Sequence, residues 1–470
     1  MITNIFYNEW KGFARNRLVR VLSLIFMVSL VLITWFGVHQ NNEQIEAQQD
    51  AHKHIRAQWD EMEPTNPHSA AHFGSYAFKP TNVLNSMDEG INAVTGNVLR
   101  LEGHTQNSVM FSEASQSLVM SKFGKLKPSL LFQFLIPLFL IFLSFNTYTL
   151  ERESGRLKLL VIQGASVSKI VFAKALSIWT IGFMLLLLTT FSQLLFNAHH
   201  FNSEMLLRLV LLVWSYGVYY FILTNLTVAL SLWFKNATAS MSLMIVIWVT
   251  WTVFLPKIVG NAVEQIVPLP TRIQFQDAMS EDRSKGLDGH NPYDERQKKL
   301  EEDTLKKYNV DDLSELPINF AGIVMQADEE YGNEVWDRHF GALYIQLEHQ
   351  KKIVQRSGII NPFIAVHSLS MGTAGTDMFH HLDFLKQAES YRRVFIKTLN
   401  DEYAFGGSKT GERGWKADTA FFRSVKDFAY QNPAFTSLSL KYLMDVVVLL
   451  LWCVGSLVLL KRSSKKASVL

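Results

Sequence analysis

The chain has 470 residues, of which 48% are hydrophobic and 19% charged, and a net charge of +3. This composition excludes a disordered chain and a wholly soluble enzyme, because the apolar residues gather into runs approaching the ~20 residues that cross a bilayer. A nucleic-acid binder is excluded as well, since the positive excess is small and many basic residues cluster beside those runs; the one cysteine, Cys453, allows no internal disulfide framework.

Residues 1–20 come first. Ile2, Phe6, Trp10 and Phe13 recur at spacings of three and four, while Asn4, Asn8, Lys11 and Arg15 share the opposite face. That pattern describes an amphipathic helix lying in the membrane interface, with bulky residues toward the acyl chains and basic ones toward lipid phosphates. The plainer reading is a positively flanked signal anchor. Apolar runs follow at 21–38, 130–149, 175–196, 205–233, 239–255 and 438–460, giving six expected spans. The first is longer than a signal-peptide core and no small-residue cleavage site follows it, so it reads as an uncleaved anchor.

Lysines and arginines in the short links set the orientation. They occur before span one, between spans two and three (150–174), at Lys235 and in the tail 461–470, while the link 197–204 has none. All basic segments then lie on one side, which makes both termini cytoplasmic in a cell membrane, inner or plasma. Two long polar stretches, 39–129 and 256–437, are expected outside. The first opens with helix-favouring residues that extend span one as a stalk until Pro64 and Pro67. In the second, Pro268 and Pro270 break the helix, a charged stretch spans 277–313, and Val335, Phe340, Leu343 and Leu347 keep helical spacing. Few alternating strand patterns occur. The expected fold class is an α-helical polytopic membrane protein, with six transmembrane helices and two mostly helical extracytoplasmic regions.

The link after span two reads as a polar helix start through Glu151, Arg152 and Glu153, then Gly155, Leu157 and Leu160, a break at Gly164 and a new start at Ser166. An exposed turn carrying Leu160, Val161 and Ile162 suits insertion into a partner's groove; a solvated inter-span loop is the plainer alternative. This segment resembles that of ABC-2-type (exporter-type) ABC transporter permeases, which carry Glu-Arg-Glu-x-Gly-x-Leu-x-x-Leu after span two, then a small-residue turn and a lysine, here Lys174. They also carry an amphipathic helix before span one. Gly-Arg-Leu stands here where the family usually has Gly-Thr-Leu. Asn66 to Pro80, Leu101 to Asn107, Asn361-Pro-Phe, Leu369 to Asp377, His380-His381 and Ala388 to Arg393 are similar to a subgroup with large extracytoplasmic loops after spans one and five. The resemblance implies that the segment from Glu151 to Ser168 docks on a separate ABC ATPase subunit, present in two copies and binding ATP and Mg²⁺. It implies a second permease protomer, identical or paralogous, and an extracytoplasmic region that shapes a gate or receives cargo or a partner protein.

No cofactor is expected in this chain. The nearest approach to a phosphate loop, Gly406-Gly-Ser-Lys-Thr410, has Ser408 where a glycine must precede the lysine. His68 and His72 lie four apart, so on a helix they face one way, and His104 with Glu102 is a candidate to join them in holding a metal. Histidines packing the two polar regions together are the plainer reading, and His380, His381, Asp377 and Asp383 form a second cluster of the same kind. Asp445, four residues after Lys441, reads as an interfacial ion pair. The expected function is the permease subunit of an ABC transporter, with no catalysis in this chain. A membrane-anchored sensor or scaffold and a membrane-embedded hydrolase are the alternatives. Six spans exceed what an anchor needs, and no catalytic motif marks a hydrolase.

Overall fold

The computed structural model describes residues 1–107, 126–287, 291–412 and 414–467. Parts of both expected extracytoplasmic regions (108–125, 288–290 and 413) and the end of the basic tail (468–470) lie outside the described residues.

Among the described residues, six helices are long and apolar enough to cross a membrane: Arg17–Asp60, Pro128–Glu153, Val167–Phe196, Ser203–Trp233, Ala237–Ile266 and Phe435–Lys466. The chain is an α-helical polytopic membrane protein. In spans two and three 61% of the most apolar window is buried, and in span four 56%, against 28% in spans one and six and 17% in span five. Spans two to four therefore make the centre, and the other three expose broad apolar faces such as those of Leu24, Ile25, Val246, Leu451 and Val454. Span four carries Tyr216, Tyr219 and Tyr220, all fully buried. Buried tyrosine hydroxyls call for partners, which Tyr216 and Tyr220 have and Tyr219 lacks among the described residues. Tyr216 donates to Ser370 (2.9 Å) and Tyr220 to the carbonyl of Phe132 (3.1 Å).

The helices run past the apolar runs that mark them in the sequence. Span one is 44 residues long, roughly 66 Å at ~1.5 Å per residue against a hydrocarbon core of ~30 Å. Its second half reaches into the polar regions, where Trp59 near its end is buried against Phe395 and Phe422. The helix that carries span three begins at Val167, ahead of the apolar run at 175, and the helix of span five continues to Ile266, past the run's end at 255. Hydropathy reports the lipid-facing stretch, whereas helix continuity is limited by caps and prolines.

Pro137 and Pro256 lie inside spans two and five, and a π turn immediately precedes each, at Leu131–Leu135 and Thr250–Phe254. In that register the N–H that proline lacks would have served the carbonyl five residues earlier, Phe132 or Trp251. Both carbonyls accept side-chain hydrogen bonds instead, from Tyr220 and from Asn361 (2.7 Å). The helices continue through both prolines because tertiary donors replace the lost ones.

The two polar regions hang from one end of the bundle and pack together. Helix Phe320–Arg356 lies along helix Met378–Phe405. Helix Pro67–Phe73 packs on the second of these. An antiparallel ribbon pairs strand β1 (Ser75–Phe78) with β2 (Val98–Leu101), with Ser75 opposite Leu101. Four-residue strands carry too little alternation to be read from sequence. Arg392 ties this domain together. Its guanidinium, over the ring of Trp336, donates to Glu389 (2.8 and 2.9 Å), Glu329 (3.0 Å) and Asn333 (2.7 Å).

Helix Pro362–Ala374 wedges between this domain and spans four and six. Its Ser368 donates to Asp445 (2.8 Å), which also accepts from Gln355 (2.6 Å). The expected Lys441–Asp445 pair is absent. Lys441 turns to Glu348 (3.6 Å), because Asp445 faces the buried seam between the wedge helix and the end of helix Phe320–Arg356.

Candidate functional site

The basic links meet at the other end of the bundle. Helix Pro128–Glu153 ends at Gly155, whose φ of +70° suits a residue without a side chain, and a short helix, Arg156–Ile162, turns back. Gly164, at φ +89°, breaks it, and Ser166 caps span three by accepting from the N–H of Lys169 (3.4 Å). Two left-handed glycines thus bracket one solvent-facing helical turn between two spans.

Its faces differ from the sequence reading. Leu157 is fully buried, and Leu160 and Val161 are half-buried against the same cluster of Ile5, Tyr148, Ile170 and Val228. The apolar residues left exposed are Leu159, at 60%, and Ile162, at 81%, so of the three expected on the exposed turn only Ile162 is there. With 3.6 residues per turn, positions 157 and 160–161 anchor the helix while 159 and 162 point away. A run of consecutive leucines and valines does not reveal which face the bundle claims.

Glu151 is no free surface charge. It is buried and accepts from Lys174 (3.0 Å), which also donates to Glu9 (2.5 Å). Arg156 approaches the other carboxylate oxygen of Glu151 at 3.6 Å. Arg152 donates to the carbonyl of Lys235 in the link between spans four and five (2.8 Å), and Glu153 remains exposed. The triad Glu9–Lys174–Glu151 joins the N-terminal helix, span three and the end of span two. Glu9 was not singled out in the sequence. Its signal was its place one helical turn from both Ile5 and Phe13, a single acid on an otherwise apolar seam.

The N-terminal helix, Ile2–Arg15, is amphipathic but docks on protein. Ile5 is its buried residue, a position the wheel reading missed, and Ile2 is exposed. Trp10 donates to Thr180 (3.1 Å), and Phe13 packs on the main core. Phe6 offers its carbonyl to Ser177 (3.5 Å). Lys11 sits over the ring of Tyr7 at 4.4 Å, and Arg15 is exposed. One face of this helix is held by span three and the other is open.

In the opposite domain the structure brings His68, His72 and His104 together. One ring nitrogen of each lies within 4.8 Å of the others. Glu102 is not among them; it pairs with Arg100 (3.0 Å) and accepts from Asn107 (2.8 Å). Burial, then the neighbouring His72 and His104, push His68 down to about 4. The second cluster separates: His380 bonds Asp377 (2.7 Å), Asp383 turns to Tyr430 (3.0 Å), and His381 is buried alone, pushed down to about 4 by burial and by Lys79.

Residues 65–271 match the model of the ABC-2 family transporter protein, and residues 272–431 match a domain of unknown function, DUF3526. No curated protein matches the chain. The first match takes in spans two to five with the link between 151 and 166, while the second takes in the domain between spans five and six. The match over 65–271, the six membrane-crossing helices among the described residues and the Glu-Arg-Glu segment at the turn into span three together support an ABC-2-type transporter permease.

Proposed function

We propose that this permease is driven by a separate ATPase subunit that docks on the turn between spans two and three. The observation that carries this reading is the pair Leu159 and Ile162, exposed on a short helix whose other side is locked into the bundle. An apolar pair with Lys158 and Glu153 beside it suits a groove on a partner protein. The Glu9–Lys174–Glu151 triad makes the dock rigid with respect to span three, so that movement of the partner becomes movement of the helices.

Two ATPase copies binding ATP and Mg²⁺ close against two permease protomers, which meet through the exposed apolar faces of spans one, five or six. Basic residues of the short links share the docking end, which supports a cytoplasmic location for it and for both termini in the cell membrane. The domain of the two polar regions then stands outside, at the mouth through which cargo leaves. The cargo itself is a lipid, a peptide, a small molecule or an extracted membrane protein.

Co-expression with the products of neighbouring genes, purification in mild detergent and an ATPase assay test this reading. Ile162→Asp and Leu159→Asp are expected to release the ATPase while leaving the permease folded, because both side chains are exposed. If the ATPase stays bound to both variants, the dock is elsewhere. If no ATPase binds the unaltered chain, the sensor or scaffold reading takes precedence.

A further inference from the structure

The histidine trio belongs to no part of the transport reading. His68 and His72 lie one turn apart on helix Pro67–Phe73, whose start is fixed by Asn66 accepting from the N–H of His68 (2.8 Å). Their Nε2 atoms are 3.1 Å apart. His104 comes from the turn after β2, where it adopts φ +62°, a conformation unusual for a residue with a side chain. The turn is pinned to the histidine helix by the N–H of Gly103 donating to Ala71 (3.0 Å). It is pinned to the second polar region by Arg283, which donates to the carbonyl of His104 (3.0 Å). The backbone is thus held, against its intrinsic preference, where the third imidazole meets the other two.

We propose that His68, His72 and His104 form a binding site for a first-row divalent cation of the zinc type, with one coordination position open. Three neutral imidazoles are a ligand set suited to such ions. Metal–nitrogen bonds of ~2.0–2.1 Å in tetrahedral geometry place ligand atoms about 3.3 Å apart. The His68–His72 separation already matches that spacing, and the third nitrogen lies within 4.8 Å. A hydrogen bond between His68 and His72 accounts for their approach but not for the strained turn that delivers His104.

The surroundings of His104 complete the site. Its Nδ1 lies 3.1 Å from Glu329, which also accepts from its backbone N–H. A carboxylate on one imidazole nitrogen fixes the tautomer and leaves the other nitrogen as the metal ligand. Glu329 is buried and held in turn by Arg392. The ligands come from the first polar region and this supporting carboxylate from the second, so a bound ion clamps one region to the other.

The test uses the full-length chain in detergent, stripped with a chelator, equilibrated with Zn²⁺ and measured by elemental analysis. A parallel titration with Co²⁺ is followed by its visible absorption. The unaltered protein is expected to hold about one ion per chain with the strong Co²⁺ bands of a tetrahedral site. His68→Ala, His72→Ala and His104→Ala are each expected to lose it, whereas His199→Ala with His200→Ala, at the exposed turn between spans three and four, is expected to retain it. Glu329→Gln is expected to weaken binding by about 10–100-fold without abolishing it. Metal-free thermal melting of each variant guards against a trivial unfolding effect. If a variant fails to fold, protection of the unaltered protein's histidines from acylation by Zn²⁺ decides in its place. The proposal is overturned if the unaltered protein binds no Zn²⁺ at low micromolar free metal, or if folded trio variants bind as much. The ATPase is absent from this assay, so its outcome is independent of the docking experiment.

Discussion

Replacing Lys174 by methionine tests how the N-terminal helix is fastened. Lys174 is buried and serves two carboxylates, Glu9 at 2.5 Å and Glu151 at 3.0 Å. Methionine keeps the length and apolar stem but leaves Glu151 buried without its nearest cation. Removing one member of a buried ion pair costs about 3–5 kcal/mol. The lower end applies here, about 3 kcal/mol, because Arg156 remains near the same carboxylate and Glu9 is exposed enough to be rehydrated. Lys174→Met with Glu151→Gln removes both charges, so the double variant should be less destabilised than the single one, with a coupling of about 2 kcal/mol. The assay is unfolding in a fixed detergent followed by tryptophan fluorescence, with limited proteolysis reporting release of the first helix. If Lys174→Met unfolds within about 0.5 kcal/mol of the unaltered protein, or the double variant is as unstable as the sum of the two changes, the triad does not fasten the helix.

Three further outcomes follow from the geometry. Arg392→Met should destabilise the domain by about 3–5 kcal/mol, since Glu329 and Glu389 lose a shared buried cation, and Arg392→Lys should not rescue it because an ammonium cannot reproduce the forked contacts; thermal melting of each variant checks both. His381 stays neutral in the fold down to about pH 4 but takes up a proton near 6.5 when unfolded, so its contribution is intact above about pH 6.5 and falls by about 2 kcal/mol by pH 5. His381→Gln should flatten the pH dependence of the melting temperature by that amount, and an unchanged slope would refute the assignment. Gly372→Ala places a carbon 2.4 Å from the ring of buried Tyr442 on span six, and overpacking of this kind costs about 1–3 kcal/mol. Denaturant unfolding that shows no loss would mean that Tyr442 moves freely, contrary to its hydrogen bond to Asp377 (3.0 Å).

The number of membrane-crossing helices, their order and the two long polar insertions were legible in the sequence, because lipid imposes a length and composition that no tertiary contact can override. The break at Gly164 and the new helix start at Ser166 were legible too, since glycine and a capping hydroxyl act within a few residues of themselves, whereas the left-handed turn at Gly155 was not singled out. What stayed hidden depends on partners distant in the chain. Lys174 reads as a generic basic flank until Glu9 and Glu151 close on it, and Leu160 reads as exposed until Ile5 and Val228 cover its side of the helix. Asp445 is drawn from its neighbour Lys441 by Gln355 and Ser368, which approach only because the wedge helix packs against span six. The spacing of His68 and His72 shows that they share a helix face, but a third histidine more than thirty positions later meets them only through a strained turn held by Ala71, Arg283 and Glu329. Local rules of hydropathy, capping and helical period act along the chain and can be read there. The choice of which polar group is buried with which acts across it, and is decided by packing alone.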